Sequence, residues 1–202
     1  VSAGGNFTLA VTDASTALTG TALSSLVSLA AGGHVSSMTL TGSAVGMTAA
    51  QAQAFASVTG TYGISVSDSS ANIASNLDKL QTLLTGSHLS AVTQTGSAQA
   101  LAVSATQLYS DSGVLTKIGT YTLAVTDDAS KLTGNALTAL VSQASKLSSL
   151  NVTGSTFQVT GSQAAALQSV SGTFSVVVSD AASNVTGATL TGLVAVSYTH
   201  LT

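Results

Sequence analysis

The chain has 202 residues, 45% of them apolar and only 5% charged; its ionisable side chains apart from histidine and tyrosine are four lysines and seven aspartates, and Cys is absent. Without clustered cations nothing neutralises a run of phosphates, so nucleic acid is excluded as a partner, and without Cys there are no disulfides, thiolate metal sites or cysteine nucleophiles. The apolar share argues against disorder, while Ser, Thr and Gly break every apolar run short of the ~20 residues that membrane insertion as a helix needs.

In chain order, the segment GNFTLAVTDASTALTG at 5–20 returns as GTYGISVSDSSANIAS at 60–75, GTYTLAVTDDASKLTG at 119–134 and GTFSVVVSDAASNVTG at 172–187. The glycines Gly5, Gly60, Gly119 and Gly172 are 55, 59 and 53 residues apart. Periods of that size mark stacked supersecondary units, none of which buries much alone. The expected division is repeat 1 at 5–59, repeat 2 at 60–118, repeat 3 at 119–171, a truncated repeat 4 at 172–194 and a tail at 195–202 outside the pattern.

Each repeat opens on apolar residues two apart, Phe7-Leu9-Val11, Tyr62-Ile64-Val66, Tyr121-Leu123-Val125 and Phe174-Val176-Val178, which predicts a strand with one buried face. After Ser/Thr-Asp, a link through Leu18, Ile73, Leu132 or Val185 leads to apolar spacings of three and four, such as Ile73, Leu77, Leu80 and Leu84, which predict a helix. A second strand follows at Val35-Met38-Leu40, Leu89-Val92 and Leu147-Leu150-Val152, ending in a Thr-Gly-Ser turn. A short third strand, Val45-Met47, Leu101-Val103 or Phe157-Val159, runs into Thr48-x-x-Gln51, Ser104-x-x-Gln107 or Thr160-x-x-Gln163. These are capping boxes, in which the hydroxyl and the Gln satisfy two amides left open at a helix start. The helix they open is expected to end at the next glycine. Stacking of like strands and like helices then predicts an α/β solenoid of about 55-residue units, with an α+β arrangement of strands on one helical layer as the alternative.

Runs such as YGISVSDSSANIASNLDKLQ at 62–81 and LSAVTQTGSAQALAVSATQ at 89–107 resemble the long tandem repeats of very large bacterial secreted or surface proteins, a group that includes RTX-like, haemolysin-type calcium-binding and adhesin-type chains. The resemblance spans 5–194 and implies export, an extracellular or cell-surface location, and a role as stalk or adhesive array. The GGxGxD nonapeptide that binds calcium in RTX proteins does not occur here, so that mechanism does not carry over. The chain opens on Val with no basic stretch before an apolar core and reads as a fragment of a longer polypeptide. The final VSYTHLT at 196–202, with Tyr198 and His200, resembles the read-through of a sequencing adapter at the end of a metagenomic contig.

Chemistry-bearing residues are few. Asp13, Asp68, Asp127 and Asp180 share one offset from the glycines and are the weak candidates for calcium; stacking of like strands would set their carboxylates roughly 5–10 Å apart, with Asp128 alongside. Calcium takes about six to eight oxygens, more than one carboxylate per layer supplies, so the expected role is acceptance of backbone N–H groups in the strand-to-helix turn. A turn tolerates Asn at 68; a calcium site does not. His34 and His88 occupy one place in successive repeats, where the third has Lys146, an exchange no metal or catalytic role survives and an exposed loop position explains. The strained GxSxG elbow is missing, Gly32-Gly33 lacks the glycines and lysine of a phosphate loop, and Asp127 and Asp128 as strand neighbours point to opposite faces, so no catalytic residue is expected.

Two surface features remain. Thr39/Thr41, Thr93/Thr95 and Asn151/Thr153 alternate with core residues of the second strand, forming an outward ladder that would suit carbohydrate or ice, although Thr is also simply a good strand residue. The sequons at Asn6, Asn151 and Asn184 are common by chance in a Thr-rich chain. The expectation is a noncatalytic structural or adhesive repeat segment whose partners are neighbouring repeats and surface glycans, with Gly60, Gly119, Gly172, Gln51, Gln107 and Gln163 as its structural positions and no cofactor. The alternative is a ligand-binding module for carbohydrate, calcium or ice on the same scaffold.

Overall fold

The structure, a computed structural model, describes residues 7–97 and 99–184. Gly5, Asn6, Val185, Leu190, Leu193, the VSYTHLT tail and the end of repeat 4 lie outside the described residues.

Repeat 1 forms β1 (Leu9–Ala14), a 3-10 turn, α1 (Gly20–Ala31), β2 (Val35–Thr41), β3 (Val45–Met47), α2 (Ala49–Ala52) and, at the next glycine, β4 (Thr59–Thr61). Repeat 2 forms β5 (Ile64–Asp68), α3 (Ser70–Ser75), α4 (Leu77–Thr85), β6 (Leu89–Gln94), β7 (Leu101–Val103), α5 (Ala105–Ser110) and α6 (Ser112–Lys117). Repeat 3 forms β8 (Leu123–Asp128), α7 (Gly134–Ser142), β9 (Leu147–Thr153), β10 (Phe157–Val159) and α8 (Gly161–Leu167). β11 (Gly172–Thr173) and β12 (Val176–Val178) follow. This is an α/β protein of repeated parallel strand–helix units in several small parallel sheets, ordered β1-β2-β4, β3-β5-β6, β7-β8-β9-β11 and β10-β12.

Like strands are not neighbours, contrary to the expectation from stacking. The opening strands β1, β5 and β8 pair on one side with the second strand of their own repeat, and from repeat 2 onward the opening strand pairs with the third strand of the repeat before: β3 with β5, β7 with β8, β10 with β12. The packing therefore runs out of phase with the sequence period. The chain divides into two compact units, one of residues up to Ala98 with Asp111–Thr120, the other of Gln99–Ser110 with the residues from Tyr121 onward. The second helical segment of repeat 2 is correspondingly cut at Asp111, α5 belonging to one unit and α6 to the other.

Gly60 and Gly172 do not stop a helix as expected, whereas Gly119 directly follows Ile118, the C-cap of α6. The helical segments before Gly60 and Gly172 end earlier, and both glycines lie within short strands at φ +112° and +132°, opposite Met38 and Leu150. A Cβ at either would overlap the carbonyl oxygen of the residue it faces, so both the backbone angle and the approach require glycine. Gly119 has neither constraint, and an added Cβ there meets nothing.

In the first unit the core is Met38, Phe55, Ile64, Ile73, Leu77, Leu80 and Leu83; in the second it is Leu101, Leu123, Leu132, Leu140 and Leu150. Leu83, not Leu84, continues the buried face of repeat 2, because the helix is interrupted at Asn76 (φ −117°, ψ 10°) and its phase restarts. A bulge recurs where opening and second strands pair: the register skips Ser36, Ser90 and Ser148 in turn. The hydroxyls of Ser36 and Ser148 donate to Leu9 O and Leu123 O at 3.1 and 2.8 Å, partnering carbonyls beside the slip.

Candidate functional site

Three of the recurrent aspartates, Asp68, Asp127 and Asp180, sit where an opening strand ends beside the helix start of the preceding repeat, because that repeat's third strand is its sheet neighbour. Asp68 ends β5, and its Oδ2 accepts the N–H of Ala49, the first residue of α2, at 2.9 Å. Its Oδ1 accepts from Ser69 N at 2.8 Å and from Asn72 Nδ2 at 2.7 Å. Asp127 repeats this with Ala105 N at 2.9 Å and Asp128 N at 2.9 Å. Asp180 does so with Gly161 N at 2.9 Å, Ala181 N at 2.8 Å and Asn184 Nδ2 at 2.8 Å.

The capping boxes complete the same joint. Thr48 N–H donates to Gln51 Oε1 at 3.0 Å and Gln51 N–H to Thr48 Oγ1 at 3.2 Å. Ser104 with Gln107, at 3.1 and 3.1 Å, and Thr160 with Gln163, at 2.8 and 3.3 Å, do likewise. A helix start leaves four amides without intrahelical partners. Together with the cap residue's own N–H, those of the first and third helical residues are here satisfied by one Gln, one Asp and one hydroxyl. The carboxylate also lies at the positive end of the helix.

Half of each aspartate's work was expected: one oxygen serves its own turn, as Asx residues do. The other half requires knowing which strands pair. The expectation that Asn is tolerated at 68 accordingly needs correction. Both oxygens of Asp68 accept N–H groups, and an amide can offer only one acceptor oxygen. Burial alone would raise the Asp68 pKa, but the bonds from Asn72, Ser69 and Ala49 outweigh it and hold the carboxyl below its ordinary value. Asp180 is lowered as well, by Asn184 first and then by the Gly161 and Ala181 amides.

The aspartates do not lie on directly paired strands, the arrangement from which a carboxylate column was expected. Asp13, Asp68 and Asp127 lie on β1, β5 and β8, which belong to three different sheets, and Asp180 follows β12 in a fourth. Among the described residues no three metal-binding side chains converge.

His34, His88 and Lys146 are not merely loop residues. His34 stacks on Phe7 with ring centres 4.5 Å apart, and His88 on Tyr62 at 3.8 Å. Their Nδ1 atoms lie 3.1 and 3.4 Å from the carbonyl oxygens of Phe7 and Tyr62. Lys146 places its Nζ 4.1 Å from the Tyr121 ring centre and donates to that phenol at 2.8 Å. The aromatic that opens each strand is the constant partner, and both an imidazole and an ammonium suit its face. That pairing explains the His-to-Lys exchange. Tyr62 is itself fixed by its hydroxyl, 2.8 Å from Val58 O and 3.0 Å from Phe55 O, and burial raises its pKa.

The threonine positions are exposed and lie in rows across the strands. Thr12, Thr39 and Thr61 are in register across β1, β2 and β4, and Thr126, Asn151 and Thr173 across β8, β9 and β11. Asn151 Oδ1 is committed to Thr173 N at 3.2 Å. Two open clefts accompany the units. One of about 370 Å³ is lined by Val27, Ala30, Ala50, Gln53, Ala54 and Ser57 among others; one of about 260 Å³ is lined by Val152, Gly154, Thr156, Thr173 and Phe174 among others. Neither is lined by an ionisable side chain.

The bulge serines and the strand-opening aromatics are what sequence reasoning passed over. Both were visible as recurrences, Ser36, Ser90 and Ser148 each following the first apolar residue of the second strand. Among the described residues no helix is long and apolar enough to cross a membrane. No family model, curated protein or solved structure matches the chain.

Proposed function

We propose that this chain is a noncatalytic structural and adhesive segment of a large secreted or cell-surface bacterial protein, whose repeats continue one another as an α/β solenoid and serve as stalk or display array. The observation that carries this proposal is the recurring joint: one aspartate oxygen on the helix start of the preceding repeat at 2.9 Å, three times over. Asp68, Asp127 and Asp180 hold each repeat to the one before, while Gln51, Gln107 and Gln163 close the helix starts to which those aspartates bind. A charge content of 5% fits a chain that does not work through ionic recognition. Its partners on this proposal are neighbouring repeats and surface glycans, its location is extracellular, and it needs no cofactor.

A second function is favoured by the row Thr126-Asn151-Thr173, which has an amide at its centre, and by the unbroken hydroxyl row Thr12-Thr39-Thr61, which would present carbohydrate or ice with a regular polar face. Strand spacing places such hydroxyls about 4.8 Å apart. A glycan panel and a thermal-hysteresis assay on the intact chain discriminate the two. The structural proposal predicts no ice-growth inhibition and no dependence of glycan contact on the threonine rows; saturable glycan binding that is lost in Thr39→Ala or Thr126→Ala would place the ligand on those rows and replace it with the binding module.

A further inference from the structure

The joint that recurs inside the chain is left half-made at β1. β5, β8 and β12 each carry a third strand on their outer edge, in the pairs Val45↔Ile64, Leu101↔Leu123 and Phe157↔Val176. Among the described residues β1 pairs with β2 alone. Leu9 is 39% exposed, whereas its counterparts Ile64 and Leu123 are 0% exposed, and Phe7 is 38% exposed against 6% for Tyr62 and 7% for Tyr121. Asp13 makes the bond within its own turn, from Ala14 N at 2.7 Å, but its second oxygen meets no helix-start amide among the described residues. Strand edge, apolar face and carboxylate thus lack the same neighbour together.

We propose that the β1 edge is a docking surface for the third strand and capping-box helix of a further repeat. The occupant is defined by the three examples within the chain: two inward apolar residues separated by one, as in Val-Gly-Met, Leu-Ala-Val and Phe-Gln-Val, then Ser/Thr-x-x-Gln. Its first apolar residue faces Leu9, its second faces Val11, and the amide after its Ser/Thr donates to Asp13. An intact second copy of the chain does not supply this segment in the same geometry, because the edge of β3, β7 or β10 that would face β1 already pairs with β5, β8 or β12. The inference rests on the repeat-array part of the proposed function and is independent of export and adhesion.

The test joins residues 43–59 directly ahead of Gly5 in the full chain, reproducing the natural Thr59-Gly60 junction, and a second fusion carries residues 155–171 in the same place. Hydrogen exchange of the Leu9–Asp13 amides is expected to slow by about tenfold or more in both fusions relative to the parent. Asp13→Ala should lower the unfolding midpoint of the fusions and leave that of the parent unchanged. The Ile64–Asp68 amides report that the rest of the chain is folded. Unchanged exchange at Leu9–Asp13 in both fusions overturns the docking surface, as does an equal effect of Asp13→Ala in parent and fusions. Protection in the parent that grows with protein concentration also overturns it, by assigning the edge to a second copy. Each of these results leaves the internal joints at Asp68 and Asp127, and so the repeat array, standing.

Discussion

Residue by residue, the recurrent positions are held by different constraints, and substitutions separate them. At Asp68 three N–H donors depend on two carboxylate oxygens, so Asp68→Asn leaves a buried donor facing an amide group and should cost about 1–3 kcal/mol in urea unfolding. The same change at Asp13, which has one such bond among the described residues, should fall within about 0.5 kcal/mol. Asp68, Asp180 and Asp128, all lowered in the folded state, contribute to the pH response. A carboxyl whose pKa is lowered in the folded state contributes stability above its unfolded value of about 3.9 and loses it as the pH falls through the folded value. The unfolding midpoint should therefore hold level from neutrality to about pH 5 and fall below about pH 4. A chain carrying both Asp68→Asn and Asp180→Asn should show a shallower fall; an equal fall in both chains would place the acid sensitivity elsewhere. Glycine divides too: Gly60→Ala should destabilise by about 2 kcal/mol or more through overlap with Met38 O, while Gly119→Ala is near neutral.

At the scale of elements, the third strands were legible to the residue, since Val45–Met47, Leu101–Val103 and Phe157–Val159 form as the alternation predicts. The three capping boxes close with the Gln expected in each, because a cap is a local motif whose partners lie three residues apart. What local pattern could not supply was pairing. Thr-Gly-Thr at 59–61 is too short and too weakened by its central Gly60 to read as a strand, and it becomes β4 where β2 offers it an edge. Likewise, β1 shows the alternation of β5 but not its buried face, because burial depends on a neighbour and not on the strand itself. The ring stacks test another relation between elements. His88→Lys should be tolerated, on the precedent of Lys146 over Tyr121, whereas His88→Ala should lose about 0.5–1.5 kcal/mol with the Tyr62 stack. Thermal unfolding of the two variants decides; equal losses would show that the ring face contributes nothing.

For the whole molecule, the sequence period and the unit of packing differ. A strand of one repeat closes the sheet and caps the helix of the repeat before, so each repeat depends on contacts it cannot make alone. The recurrent Asp joins a repeat to the one before, and the recurrent Gln closes the helix start that this Asp caps. Calcium is the sharpest challenge to this account, since the same carboxylates are the residues a metal would use. The decisive measurement is the unfolding midpoint of the intact chain and of Asp68→Asn, each in chelator and in millimolar calcium. The account predicts that the variant unfolds at lower temperature and that calcium moves neither midpoint. A ligand that binds only the folded state must raise its midpoint, so a calcium-dependent rise in the intact chain that disappears in Asp68→Asn would contradict it.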